Sequence, residues 1–522
     1  YYLSGNYLSQ TGTVLSTKNE RYQAKLNLTS NITPWLTITA DVNASHNVRS
    51  MVNFSASKNN MLWLALNYSP VTNVMDNAGN YSHDFYNAIT ADNPVGSLKL
   101  NSGQGRQDIF NGRIDLRFNL LPGLTFTTTN GIDYNDAKYY WFNSKRVVEQ
   151  SSMTNQDGQR MMLQSTNNLT YAGQWGLHGL TATGVFEATQ SKYRMMHISG
   201  DNLLTESVGW WNIGLAKSKT SDNGYEAWAL LSGVGRLMYN YDNRYLLTTT
   251  FRADGSSKFF KNKWGFFPSV ALAWSLGNEK FMQQQDIIQD SKLRVSYGLV
   301  GSQAISPYET LGLMKQVGYA YGGSTKYTGF WAGTSRATPN LTWEKTHQFN
   351  IGIDFATLAH RLRFSIDYFN KTTKDGLLKK TLPQYDGGGT YWVNACEVVN
   401  RGVDFTIDAH ILKQKDLNWN SSFTGTYLKN KVTSLDNIPF VQGYSPAIGL
   451  MGDVTRIVVG QPIGAFYLYQ WTGLDATGHD TYADLYGSGT LSEGDRTFCG
   501  KAKPTLSLIN ISEPTRLRRF SF

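Results

Sequence analysis

Apolar and polar side chains alternate along this chain in runs of about ten residues, and the links between runs are alternately very short and very long. Residues 20–46 show the pattern well. Tyr22, Ala24, Leu26 and Leu28 alternate with Arg21, Gln23, Lys25 and Asn27; after Asn31 to Pro34, Leu36, Ile38, Ala40, Val42 and Ala44 fall between Thr37, Thr39, Asp41 and Asn43. Successive side chains of a strand point to opposite faces, so one face of each run suits lipid and the other suits water. A closed barrel lets such strands cross hydrocarbon with no backbone N–H or C=O left unpaired. The pattern therefore predicts an all-β chain, a transmembrane antiparallel β-barrel with short periplasmic turns and long extracellular loops.

The links sort into two classes. The short ones are Asn31 to Pro34, Leu121-Pro122-Gly123, Gln174-Trp175-Gly176, Tyr241-Asp242-Asn243, Ala356 to His360 and Lys413 to Asp416. Long polar stretches lie near 48–106, 136–159, 191–225, 254–264, 302–340, 370–395 and 430–460. The Asn278 to Ser291 segment fits neither class and reads as a helical loop. About fifteen strands are expected by Tyr427, with more after Gly460 and the closing strands outside the sequence. A soluble sandwich or propeller also alternates, but it needs mostly short loops and strands of about five or six residues.

Composition narrows the reading. No apolar run approaches the roughly 20 residues of a membrane helix, so the chain spans as strands or not at all. Thirty Tyr, 49 Gly and 14 Trp suit a barrel with polar loops and aromatic girdles. Cys396 and Cys499 are too few for a disulfide framework and lack metal-ligand spacing. The formal charge of +9 is scattered through strands, as at Arg113, Arg117, Arg361 and Arg363, which argues against nucleic acid. Tyr1 is not an initiator and no leader precedes the first strand, so an internal fragment or a processed product is expected.

Several blocks resemble the SusC/RagA group of TonB-dependent outer-membrane transporters. They are Arg252-Ala253-Asp254-Gly255-Ser256-Ser257-Lys258-Phe259 with Trp264-Gly265-Phe266-Phe267-Pro268-Ser269, and Leu293-Arg294-Val295-Ser296-Tyr297-Gly298-Leu299-Val300-Gly301-Ser302-Gln303. Pro339-Asn340-Leu341-Thr342-Trp343-Glu344, Val398 to Val403, Gly460-Gln461-Pro462-Ile463-Gly464-Ala465-Phe466-Tyr467 and Glu493-Gly494-Asp495-Arg496-Thr497 extend the likeness to about residue 504. The resemblance implies a barrel of about 22 strands in the Gram-negative outer membrane, filled by an N-terminal plug. It also implies coupling to TonB through a segment not in this sequence, a SusD-like surface lipoprotein over the mouth, and import of oligosaccharides or peptides. On that basis residues 1–505 are part of a barrel whose plug, TonB box and last strands lie elsewhere.

Three departures stand out. Cys396 occupies a position where the family usually has glycine, a tight backbone site. Asp484 to Asp495 resembles a calcium-type loop, yet Tyr486 and Ser488 replace expected oxygen ligands, so no metal and no cofactor is expected. Residues 506–522, beginning Leu506-Ser507-Leu508-Ile509-Asn510-Ile511-Ser512-Glu513-Pro514-Thr515-Arg516, read as a translated sequencing adapter. Removing them takes three arginines and one glutamate from the charge count.

No zinc-type histidine pair and no nucleophile-elbow serine is present, so the chain is not expected to be an enzyme. Asp254-Gly255-Ser256-Ser257 reads as a turn at a strand end. The expected substrate contacts are loop aromatics: Trp210 and Trp211; Tyr321, Tyr327 and Trp331, with Tyr319 and Phe330 nearby; and Tyr385 and Trp392, with Tyr391, around Gly387-Gly388-Gly389. Flat rings with a polar tip suit sugar C–H faces, but also an interfacial girdle, loop packing or a lid protein. Arg113, Asp115, Arg117 and Gln348 read as inward-facing groups that could meet the plug. Rival functions are a passive channel, a siderophore, vitamin or peptide receptor, and a soluble adhesin.

Overall fold

A computed structural model describes residues 1–52, 61–82, 92–285, 287–320, 326–332, 336–383, 389–414, 417–445 and 453–516. The chain forms two compact units, Tyr1–Leu169 with Phe186–Leu231, and Thr170–Val185 with Ser232–Phe522. The first unit begins with β1 (Tyr2–Thr11), β2 (Lys18–Thr33) and β3 (Leu36–Met51), then helices α1 (Met61–Asn67) and α2 (Pro94–Leu100), then β4 (Ser102–Leu121) and β5 (Leu124–Asn143). Strands β6 (Ser152–Trp175), β7 (His178–Leu203) and β8 (Ala216–Tyr241) contribute residues to both units. The second unit continues with β9 (Tyr245–Ser256), β10 (Trp264–Trp274), β11 (Ile288–Ser302), the hairpin β12 (Met314–Ala320) and β13 (Lys326–Ala332), β14 (Glu344–Thr357), β15 (Leu362–Thr381), β16 (Thr390–Lys413) and β17 (Leu417–Ser434). After β17 come the short strands β18 (Val441–Gln442), β19 (Thr455–Ile457), β20 (Ala465–Tyr469), β21 (Trp471–Leu474), β22 (Asp480–Tyr482) and β23 (Arg496–Lys501), and finally β24 (Leu506–Arg516).

Sixteen strands share one sheet in the order β1 to β11, β14 to β17, then β24. Up to β17 that sheet has the fifteen strands expected from the alternation. The period-two code maps onto its faces. In the first unit Leu26, Val42, Gly112 and Ile132 pair in one row, and Asn27, Asp41, Arg113 and Gly131 pair in the next on the opposite face. In the second unit Val295, Ile351, Tyr368, Val403 and Tyr427 form an apolar row, while Arg294, Gly352, Asp367, Asp404 and Thr426 form a polar one. Leu26, Ile351 and Tyr368 are exposed, as an apolar band requires when lipid rather than a core covers it.

Five of the six short links coincide with tight reversals. Gly123 and Gly176 adopt the left-handed backbone that ends β4 and β6, with φ of 80° and 56°. Asp242 and Asn243 do the same at 51° and 52°, a conformation their short polar side chains tolerate. Leu358, Ala359 and His360 make the β14–β15 reversal without a glycine. Two residues of the sixth link, 415 and 416, lie outside the described ones.

Two expectations are corrected. Several stretches read as loops remain in the ladder: β7 and β8 are each 26 residues long, so the 191–225 stretch narrows to a link at 204–215, and 136–159 narrows to 144–151. About ten residues suffice to cross hydrocarbon. Beyond the bilayer both faces of a strand meet water, so the hydrogen-bonded ladder persists while the apolar code disappears. The Asn278 to Ser291 segment forms no α-helix among its described residues. One 3₁₀ turn, Leu276–Asn278, precedes further turns, and Glu279 anchors them by accepting from Trp274 Nε1 at 3.0 Å, Tyr245 Oη at 2.8 Å and Arg244 Nη1 at 3.3 Å.

The described buried clusters are small and sit near the ends of long strands: Phe142, Met153 and Leu203 in the first unit, and Cys396, Val398, Val432 and Leu435 in the second. The tight backbone position belongs to Cys396's partner. A Cβ at Gly376 would lie 2.7 Å from the Cys396 carbonyl oxygen, whereas the Cys396 side chain packs inside the cluster. Strand β24 pairs with β17 in a register that keeps the code at its start, with Leu506 opposite Tyr427 and Leu508 opposite Gly425, and breaks it further on, setting Asn510 opposite Phe423 and Ile509 and Ile511 opposite Thr424 and Ser422.

Candidate substrate-contact residues

The first candidate cluster lies in the 204–215 link of the first unit. Trp210 and Trp211 both approach Tyr140, with ring centroids 6.0 and 5.9 Å away, and lie 6.2 Å from each other. Tyr140 shares a face of β5 with Tyr134 and Ile132, because the β4–β5 register runs unbroken from Ser102 to Asn119. The two tryptophans thus pack on the prolongation of the apolar face. Trp210 also packs against the Phe142, Met153 and Leu203 cluster; its carbonyl accepts from Asn155 Nδ2 at 3.1 Å, and its indole N–H is shielded without an acceptor. Glu206 fastens the link by accepting from Ser144 Oγ and the Lys145 N–H, each at 2.7 Å. Trp211 is 68% exposed, an open ring on an ordered floor.

Trp392, in the second unit, is held differently. Its Nε1 donates to Glu309 Oε2 at 2.9 Å, Lys379 Nζ lies 5.1 Å from its ring centroid, and that ammonium reaches Glu309 at 3.3 Å. Lys379 is its cross-strand partner on β15. One ring edge and one ring face are therefore already engaged. Tyr391 pairs with Lys380, and Tyr327 and Trp331 lie on β13 opposite Tyr319 and Lys315. Tyr321 and Tyr385 lie outside the described residues. Tyr140 could have been found from the period-two code of β5; Glu309, brought in from 83 residues away, left no local signal.

The polar face carries a dense network. Arg294 donates to both oxygens of Asp354 at 2.7 Å, and to Asp367 at 2.9 and 3.0 Å; Ser365 Oγ donates to Asp354 at 2.7 Å. Gly352 lies between Arg294 and Asp367 in the register, and a Cβ there would collide with the Asp367 carboxylate. Arg294, Gly352 and Asp367 line a cavity of about 490 Å³ together with Gln348, Lys371 and Asp404. In the first unit Arg113 Nε lies 3.2 Å from Asp115 Oδ2, while Asp115 Oδ1 is shielded without a donor. A polar wall of this kind needs water or a polar filling against it.

Most of the blocks quoted above prove to be structural. Phe259 is fully buried against Trp343, which also meets Phe267 edge-on and donates from Nε1 to the Lys263 carbonyl at 3.0 Å. Asn394 exchanges two 2.9 Å hydrogen bonds with the Thr342 backbone, which joins the Pro339 to Glu344 block to β16. In the calcium-type loop, Asp484 accepts from the N–H groups of Gly487, Ser488 and Gly489. Asp495 accepts from the Ser492 hydroxyl and N–H and from the Tyr486 N–H, and the Ser492 hydroxyl is the main reason its pKa falls to about 2. Both carboxylates thus serve as anchors for backbone N–H groups.

An alternating antiparallel sheet with an exposed apolar band and a charged opposite face defines an outer-membrane β-barrel. The model of the family described as TonB dependent receptor-like, beta-barrel matches residues 47–504, and the chain belongs to that family, as a member of SusC/RagA type. It is 28% identical over 538 residues to TonB-dependent receptor P3 of Formosa agariphila, covering 97% of this chain and 53% of that protein. It is 29% identical over 467 residues to TonB-dependent receptor SusC of Bacteroides thetaiotaomicron, covering 84% and 45%. The RagAB peptide transporter structure superposes with a TM-score of 0.83 at 20% identity, over 99% of this chain and 58% of that one. The chain spans about half the length of the curated relatives it matches.

Proposed function

We propose that this chain is the barrel portion of a TonB-driven importer that takes up oligosaccharides and works with a SusD-like surface lipoprotein. Family membership supports the coupling and the lid. The observation that favours a sugar is the open Trp211 ring beside Tyr140, since exposed flat rings held on a rigid floor match the C–H faces of pyranoses. Trp211 is the contact we favour, with Trp210 as its support; Tyr327, Trp331, Tyr321 and Tyr385 are further contacts in this reading, and Trp392, already engaged by Glu309 and Lys379, serves stability instead. The polar network around Arg294 would face the plug.

The test is ligand affinity and uptake by the full-length receptor with its lid. Binding of hexasaccharides, weakened about tenfold by Trp211→Ala, supports the reading. Binding of peptides with no response to sugars would replace the cargo with peptide, the class carried by the RagAB transporter.

A further inference from the structure

The described residues between β17 and β24, 435–445 and 453–505, form an excursion. Strand β17 starts at a short link and ends at this long one, which places the excursion on the extracellular side. It has its own four-stranded sheet, β18-β19-β20-β23, and a separate two-stranded ribbon, β21 with β22. The sheet is tied together by Arg456 and Arg496, both stacked on Tyr467 and both paired with Asp453. The ribbon shows another kind of surface.

Trp471 pairs directly with Tyr482 across the ribbon, and Leu474 with Asp480. Directly opposed residues share a face, and Asp480 lies two positions before Tyr482, so these four side chains occupy one face. That face is open: Trp471 is 58% exposed, Tyr482 42% and Leu474 63%. It is also ordered. Trp471 Nε1 donates to Asp480 Oδ1 at 3.0 Å, which fixes the indole plane, and Tyr482 is braced edge-on by Tyr469. On the opposite face Thr472 and Thr481 hydroxyls meet at 3.0 Å. The ribbon tip is closed by Asp475 Oδ1, which accepts from the Thr477 N–H, the Thr477 hydroxyl and the His479 N–H.

We infer that Trp471, Tyr482 and Asp480 form a sugar-binding platform on this ribbon, a site separate from the aromatics at Trp211 and Trp392. The inference rests on the oligosaccharide reading above. Two prefixed rings offer apolar faces to pyranose C–H groups at little cost in side-chain entropy. The Asp480 carboxylate beside the Trp471 ring keeps Oδ2 to accept hydroxyl hydrogen bonds. The same carboxylate argues against a dry protein interface, whose centre is depleted of charge.

The experiment is affinity measurement on the full-length receptor, with and without its lid lipoprotein, using maltohexaose, cellohexaose and xylohexaose as probes. Trp471→Ala is expected to weaken binding of whichever hexasaccharide the wild type takes by about tenfold, and Tyr482→Ala by about threefold to tenfold. Trp471→Phe, which keeps a ring, should retain most of the affinity, and Tyr444→Ala, elsewhere in the excursion, should be neutral. Unchanged sugar affinity in Trp471→Ala overturns the platform and leaves the import reading standing. Loss of the co-purifying lipoprotein with receptor–sugar affinity intact also overturns it, in favour of a protein contact. A wild type that binds none of the three sugars removes the oligosaccharide reading and the platform together.

Discussion

Trp211 and Trp392 look alike in the sequence, each an aromatic in a polar stretch, and the structure separates them by what surrounds the ring. Trp392 is committed: its N–H is donated to Glu309, its face is covered by Lys379, and the two charges meet each other. Trp211 leans on Tyr140 and Trp210 and otherwise faces solvent. A ring whose polar edge and face are already satisfied contributes mainly to stability, and one with an open face can contribute to recognition. The difference arises from long-range partners, so ring count along the chain does not measure binding capacity.

The largest expected effect tests the committed ring. Trp392→Ala should destabilise the barrel by about 2 kcal/mol, through lost packing and the lost indole N–H donor to Glu309, while leaving sugar affinity unchanged. Equilibrium unfolding in lipid or detergent with urea reads the first quantity, and ligand titration the second. Trp211→Ala should show the reverse: stability altered by less than about 1 kcal/mol, and affinity reduced about tenfold, or about 1.4 kcal/mol. If both variants lose stability and neither loses affinity, the two rings are equivalent and the distinction collapses. A smaller change comes from Lys379→Met, which keeps an apolar stem on the Trp392 ring and removes the exposed ammonium. A cost of about 0.5 kcal/mol is expected, diminishing with added salt.

How much of this was legible depends on which physical constraint each residue obeys. The faces of β2 to β5 and β14 to β17 could be read directly, since lipid on one side and water on the other impose a period of two. The same code fell silent above the bilayer, which is why the outer parts of β7 and β8 looked like loops. Glu309, Asn394 and Gly352 were opaque for a different reason. Their roles depend on partners 83, 52 and 15 residues away, at Trp392, Thr342 and Asp367, and no local periodicity records a cross-strand contact. The platform ring Trp471 carries no local sign of its role, because its partner Tyr482 arrives only through ribbon pairing. Strand β24 is the exception within the sheet. Its pairing with β17 breaks the code from Ile509 onward, and we propose that residues 506–522 are not native; contiguous sequencing of the locus should replace them with residues that put an apolar side chain opposite Phe423 and polar ones opposite Thr424 and Ser422.

The smallest effect carries the finest distinction, and it concerns Trp210, the support beneath Trp211. Its backbone is held by Asn155 independently of the ring, and its indole N–H is shielded with no acceptor. A buried donor left unpaired costs roughly 1–3 kcal/mol, so Trp210→Phe removes a penalty along with some ring area against Phe142, Met153 and Leu203. The two contributions oppose each other, and the expected net change in unfolding free energy is within about 0.5 kcal/mol of zero. A loss of more than about 1 kcal/mol would mean that the N–H has a partner in the folded state, such as an ordered water. Unchanged stability with a severalfold drop in sugar affinity would mean that the full indole of Trp210 is needed to hold the Trp211 ring in its binding orientation.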